Sequence, residues 1–210
     1  KNTSSTIDIL NDVPGVSFEN IYSTKSGYKG GSGGNVNIRG VDGNRVLMMV
    51  DGIRLPERYF FGDYYVLGRA NYINFENLKA VEITKGPASS LYGSDALGGL
   101  LYFRSLEPDD LLKPGQDYNF EIPAYYNSSN NGFSESIKVA SRFSDKASGI
   151  FVFTREDSGD VQVKTEDKYI DDEEREGNNL FANIEFDLND NSKINVIGEL
   201  IDRKAKTTLS

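Results

Sequence analysis

The chain reads as an α+β unit followed by antiparallel strands with the pattern of a transmembrane β-barrel wall. Three observations carry that reading. Residues 78–103, LKAVEITKGPASSLYGSDALGGLLYF, spell a strand, a Gly86-Pro87 break, a one-turn helix, a Gly98-Gly99 pair and a second strand. The backbone must turn sharply twice there, and only Gly tolerates φ > 0 cheaply. Composition then changes near Pro108. Beyond residue 118, apolar and polar residues alternate with period two over segments of about ten residues, the pattern of a strand with lipid on one side and a polar lumen on the other.

Taken in order, Ser4 or Ser5 is placed to cap a short helix with Ile7 and Leu10 on one side, stopped by Pro14-Gly15. Residues 16–18 predict a short strand. Residues 22–34, YSTKSGYKGGSGG, read as a surface loop; the G-x-x-x-x-G-K-[ST] spacing of a phosphate-binding loop is missing. Val46 to Val50 is a nearly continuous apolar run, which suits a strand covered on both faces. Asp51-Gly52 behind it is a strong two-residue hairpin signal, with Ile53 and Leu55 on the return strand. Between Pro56 and Phe75 the rings of Tyr59, Phe60, Phe61, Tyr64 and Tyr65 cluster beside Gly62 and Gly68. Some of them suit the core of a small domain. The cluster equally suits an exposed loop that meets a large apolar ligand or a protein partner.

Residues 109–116 read as a linker. In the last part, Leu180, Ala182, Ile184, Phe186 and Leu188 alternate with Asn183, Glu185 and Asp187, and Ile194, Val196 and Leu200 alternate with Lys193, Asn195 and Glu199. Ile137, Val139 and Phe143 against Lys138, Ala140 and Arg142 repeat the pattern less cleanly, while residues 150–153 are apolar on both faces, which leaves their orientation open. A soluble β-sandwich shows the same alternation. The connections favour a barrel: residues 144–148 and 189–192 are short turns, whereas 157–179 is long and charged, and barrels alternate short periplasmic turns with longer outer loops. The acidic run Asp171, Asp172, Glu173, Glu174 and Glu176 reads as a solvated loop. A calcium loop starting at Asp187 fails, because Ser192 and Gly198 stand where Gly and Glu are needed.

Composition excludes further classes. A net charge of −9 without a basic stripe argues against a nucleic-acid surface. The chain has no Cys and no His, which removes disulfides, thiolate metal sites, Ser-His-Asp and Cys-His constellations and the commonest zinc ligand. No catalytic residues and no metal site are expected, and the chain reads as a non-enzyme. No apolar run is long enough for a membrane-spanning helix, and residues 1–16 lack a signal-sequence pattern.

The 78–103 string resembles the plug-domain signature of TonB-dependent outer-membrane receptors, V-E-I/V-x-x-G-P followed by S-x-L-Y-G and G-G. The run IRGVDGNRVLMMVDGIRLPE, with LLYFRSLEPDDLLKPG after Gly99, is similar to the haem, haemoglobin and transferrin/lactoferrin receptor branch. The resemblance implies a plug over residues 1–107, a small mixed sheet with short helices, then a linker at 108–117 and roughly the first five barrel strands at 118–210, all as a fragment. It implies uptake of haem or iron from host haem or iron carrier proteins in the bacterial outer membrane. Ferric siderophore or cobalamin uptake is the alternative within the class, and a β-rich surface adhesion module the alternative outside it. The implied partners are TonB, through a segment outside this chain, a haem or iron carrier or iron chelate, and outer-membrane lipid. Haem or ferric iron enters as transported ligand, with no covalent cofactor. Arg39 and Lys85 inherit roles facing carboxylates of the barrel wall; Lys85 stands where Arg is usual and offers a point charge without a bidentate fork. With no His present, Tyr22, Tyr28, Tyr59, Tyr64 and Tyr65 are the candidates for an axial haem ligand, and with Phe60 and Phe61 they make the candidate ligand surface.

Overall fold

The computed structural model describes residues 12–19, 35–56, 73–93, 95–128, 131–159, 172–189 and 191–208. The helix expected ahead of Pro14, the 22–34 loop and the aromatic segment at 59–65 lie outside them.

The N-terminal unit is built on a four-stranded mixed sheet. Its strands are β3 (Val46–Val50), β4 (Ile53–Arg54), β5 (Leu78–Lys85) and β6 (Gly99–Ser105), in the order β4-β3-β6-β5. Strand β3 runs parallel to β6, while β4 and β5 pair antiparallel with β3 and β6. A separate antiparallel pair, β1 (Val16–Glu19) and β2 (Asn35–Ile38), lies beside it. The apolar run in β3 is covered on both faces, as its pattern predicts. Val46 and Met48 pack with Val16, Ile38, Leu101 and Phe103 on one side, and Leu47 and Met49 with Ala88, Ala96 and Leu100 on the other.

Local chemistry closes the corners of this sheet. Asp51 at φ 48° and Gly52 at φ 85° make the two-residue turn with both residues left-handed, and Val50 pairs with Ile53 across it. Asp51 then locks the neighbouring strand: its N–H donates to the Phe103 carbonyl at 3.0 Å, and its Oδ1 accepts from the Ser105 N–H at 3.0 Å. The one-turn helix α1 (Ser89–Tyr92) stands between β5 and β6. Gly99 opens β6 at φ 151°, where a Cβ would sit 2.4 Å from the Thr84 carbonyl oxygen and 2.8 Å from Ile38 Cδ1.

The segment expected as a linker contains a helical turn, α2 (Pro108–Leu111). The Glu107 N–H donates to Asp110 Oδ2 at 2.7 Å, and Lys79 of β5 reaches Glu107 at 2.5 Å. Leu111 and Leu112 are buried, which the polar look of DDLLKPG conceals.

The remaining strands form one antiparallel sheet: β7 (Tyr118–Glu121), β8 (Ala124–Asn127), β9 (Gly132–Ser144), β10 (Ala147–Ser158), β11 (Asp172–Asn189) and β12 (Ser192–Thr208). Both β7 and β8 pair with β9. They are one strand interrupted at Pro123, which cannot donate to the ladder but accepts from the Ser136 N–H at 2.9 Å. Strand β9 ends at Ser144 and β10 starts at Ala147, and β11 ends at Asn189 and β12 starts at Ser192, as the sequence predicts. The charged connection is shorter than the expected 157–179. Strand β11 starts at Asp172 and pairs with β10 as far as Arg175 opposite Ser158. Charged residues there continue the ladder because cross-strand backbone bonds do not depend on side-chain polarity.

Facing is the property that matters for the site. Ile137, Phe151, Phe153, Leu180, Phe186 and Leu188 are exposed on the outer side, as the alternation predicts. The inner side carries Ser136, Ala140, Ile150, Val152, Thr154, Asn179, Phe181, Asn183 and Glu185, all buried. The residues left open at 150–153 are thereby oriented, with Ile150 and Val152 inward and both Phe rings outward.

Gly99→Ala is expected to destabilise the N-terminal unit by about 2 kcal/mol or more, because a Cβ there meets backbone and not a movable side chain. The check is a lowered denaturant midpoint of the full-length protein together with faster proteolysis inside residues 35–105.

Candidate functional site

The inner face of the strand sheet and the N-terminal unit meet along a seam, and one short element supplies much of its polar contact. Residues 73–77, INFEN, enter β5 through a 3₁₀ turn, Phe75–Asn77. Asn74 caps the turn by accepting the Glu76 N–H at 3.0 Å, as Asn does best at a helix start. Phe75 packs edge-on against Phe103 at 6.1 Å, which anchors the turn to the sheet beneath.

From that platform three strands are reached. Lys138 of β9 donates to the Glu76 carbonyl at 2.9 Å and pairs with the Glu76 carboxylate at 3.0 Å. Asn77 Nδ2 donates to Asn179 Oδ1 of β11 at 2.7 Å and to Glu199 Oε1 of β12 at 2.8 Å, and Asn179 Nδ2 donates to the same Glu199 oxygen at 2.8 Å. Arg203 of β12 donates to the Ile73 carbonyl at 3.4 Å. Lower in the seam, Asn183 Nδ2 donates to the Leu106 carbonyl at 2.8 Å.

An apolar cluster lies beside these bonds. Leu106, Leu111 and Leu112 pack with Ala140, Ile150, Val152 and Phe181 of the inner wall. Burial of one such leucine stabilises by about 1.5–3 kcal/mol. The exposed Arg142–Asp109 pair at 3.3 Å contributes less than about 1 kcal/mol. The cluster therefore supplies most of the holding energy, and the directional hydrogen bonds set register. Asn74 Nδ2, Asn77 Oδ1 and Asn183 Oδ1 are buried without a hydrogen-bond partner. Each such atom costs about 1–3 kcal/mol, so the polar half of the seam holds less tightly than a fully paired one.

Of the residues singled out from sequence, Arg39 and Lys85 are described. Arg39 is exposed, at φ 51°, and its N–H donates to the Gly15 carbonyl at 2.9 Å. Lys85 Nζ donates to the Pro14 carbonyl at 2.7 Å. The two thus converge on the Pro14-Gly15 turn, and among the described residues neither makes an ion pair. Glu82, one possible local partner of Lys85, faces Arg104 at 3.5 Å. Tyr22, Tyr28, Tyr59, Phe60, Phe61, Tyr64 and Tyr65 lie outside the described residues. Sequence reading missed Asn77, Asn179, Lys138 and Arg203 as docking residues. Their signal is faint: polar side chains on the lumen-facing phase of a strand, and an Asn just ahead of a strand.

A small mixed-sheet unit bonded to the inner face of an amphipathic strand wall is the arrangement of a plug against part of a β-barrel wall. Residues 1–100 match the family model of the TonB-dependent Receptor Plug Domain. Transferrin-binding protein A of Haemophilus influenzae is 35% identical over 164 residues, covering 74% of this chain and 17% of that protein. Heme/hemopexin utilization protein C of the same organism is 32% identical over 143 residues, covering 66% of this chain and 17% of that protein. The FrpB iron transporter from Neisseria meningitidis (F3-3 variant) superposes with a TM-score of 0.69 at 18% identity, over 95% of this chain and 29% of that one. That last likeness is one of fold. The chain belongs to the TonB-dependent receptors: its first 100 residues are the plug domain, and its later strands have the wall fold of these outer-membrane barrels. It spans 17% of the length of each of the two curated relatives named.

Asn77→Ala is expected to loosen the plug against the wall by about 1–3 kcal/mol, because Asn179 and Glu199 lose a shared donor in a largely buried place. Thermal unfolding of the full-length protein checks it. Lys138→Met, which removes the Glu76 contacts, should act in the same direction by a smaller amount.

Proposed function

We propose that this chain supplies the plug and first wall strands of a receptor that takes up iron or haem from a carrier protein, energised through TonB. The observation that carries the reading is the similarity to transferrin-binding protein A along 74% of the chain, from the plug into the wall strands. No bond of the substrate is made or broken in this process, and the ferric ion or haem is cargo.

Haem is the second reading, favoured by the similarity to the haem/hemopexin utilization protein. With no His among the 210 residues, an imidazole ligand cannot come from this part of the receptor. A phenolate can take that place if the ferric ion displaces the proton of a group whose ordinary pKa is about 10. Tyr22, Tyr28, Tyr59, Tyr64 and Tyr65 are the proposed ligand-facing positions, with Phe60 and Phe61 as apolar contacts. Arg39 and Lys85 are proposed to face carboxylates of wall strands that follow β12.

Whole-cell uptake tests the substrate. A strain with the full-length receptor as its sole iron route is expected to grow on carrier-bound iron or haem, and growth on ferric siderophores alone would overturn the reading. Titration of that receptor with ferric haem tests the tyrosines: one Tyr→Phe variant of the five should change the ligand-field spectrum. A two-imidazole, low-spin spectrum identical in all five would remove them as ligands. For Arg39 and Lys85, paired replacement by Met should weaken plug retention in salt-dependent fashion, read as proteolytic release of the plug at low against high ionic strength.

A further inference from the structure

Gly177 is flanked on the inner wall by two charged residues that meet over it. In register, Glu156 of β10 stands opposite Gly177 of β11, which stands opposite Arg203 of β12. Strands two places apart are separated by about 10 Å, and a side chain on the middle strand would fill the space between. Here there is none. Glu156 Oε1 accepts from Arg203 Nε at 2.9 Å across the glycine. A Cβ on Gly177 would sit 2.9 Å from Glu156 Oε1, 3.1 Å from Glu156 Cγ and 3.2 Å from Arg203 Cγ. The missing side chain is thus the condition for the ion pair, and no backbone requirement explains this glycine, since it lies inside a regular ladder.

The other end of Arg203 reaches the plug. With Nε engaged by Glu156, an outer guanidinium nitrogen is directed at the Ile73 carbonyl at 3.4 Å. Ile73 is buried and is the first residue of the INFEN element that Lys138, Asn179 and Glu199 grip further along. We propose that Glu156, Gly177 and Arg203 form a strut that fixes where the plug segment 73–77 sits on the wall. Glu156 and Gly177 act as positioning residues, and Arg203 makes the contact. The strut spans three strands, so it also couples the spacing of β10 and β12 to the position of the plug. Asn77 and Lys138 set the register of the turn, and the strut sets its entry. The inference stands on the docking geometry and does not depend on which ligand is transported.

Hydrogen exchange of the full-length receptor in detergent micelles tests it, read on peptides covering residues 73–79 against peptides of β6. Arg203→Met, Glu156→Gln and Gly177→Val should each raise exchange at 73–79 roughly fivefold or more, with β6 unchanged. Gly177→Val is the decisive variant, because it keeps both charges and only forces them apart. Arg203→Lys should restore part of the protection, since a Lys donor reaches one partner but lacks the fork. Mobility of unboiled protein on denaturing gels identifies variants whose barrel has not closed, and for any of those Gly177→Ala takes its place. The strut is overturned if Gly177→Val, or Gly177→Ala in its place, leaves exchange at 73–79 at the wild-type rate in a closed barrel. It is equally overturned if Arg203→Met and Arg203→Lys are indistinguishable.

Discussion

The rest of the structure depends on the inward face of a strand wall that the plug covers. Period-two alternation puts Asn179, Asn183, Glu185, Ser136 and Thr154 on that face, and all are buried. A buried polar group must find a partner or cost about 1–3 kcal/mol. Some partners come from within the wall, such as Ser136 with Thr154 at 2.9 Å and Glu185 with Lys193 at 2.8 Å. Others come from the plug, as carbonyl groups and one asparagine. The plug is therefore a structural counterpart of the wall as well as a separate unit.

The two halves of the seam divide the work. The leucines around α2 give non-directional holding energy beside residues 106–112, where the chain passes from plug to wall. Hydrogen bonds to residues 73–77 give direction at the strand β5 entry. Because the covalent connection and the apolar cluster are adjacent, that end of the plug is the more firmly tied. The polar end, with the unpartnered buried atoms Asn74 Nδ2 and Asn77 Oδ1, is the looser one.

Much of the fold could be read from residue patterns, and each legible piece was local. The apolar run of β3, the Asp51-Gly52 turn and the Gly98-Gly99 approach to β6 are dictated by neighbours in sequence. The alternation in β9 and β11 also named the exposed outer side. Residues 150–153 resisted, because apolar residues on both faces carry no phase; only the plug leucines on one side show why Ile150 and Val152 are apolar. Residues 157–179 resist for the opposite reason, since their polarity predicts a loop where the ladder continues to Asp172.

What the sequence determined by itself was the class: a plug signature dense enough to name the family, and a strand periodicity that separated the exposed outer face from the inner one. These follow from backbone sterics and from side-chain alternation, which act over a few residues. What only the tertiary structure decided was the pairing across the seam. Asn77 meets Asn179 and Glu199 over sequence separations of 102 and 122 residues, and Glu156 meets Arg203 only because the residue aligned between them is Gly177. Such contacts depend on strand register and on how the plug is set against the wall, and no local pattern in the chain encodes either.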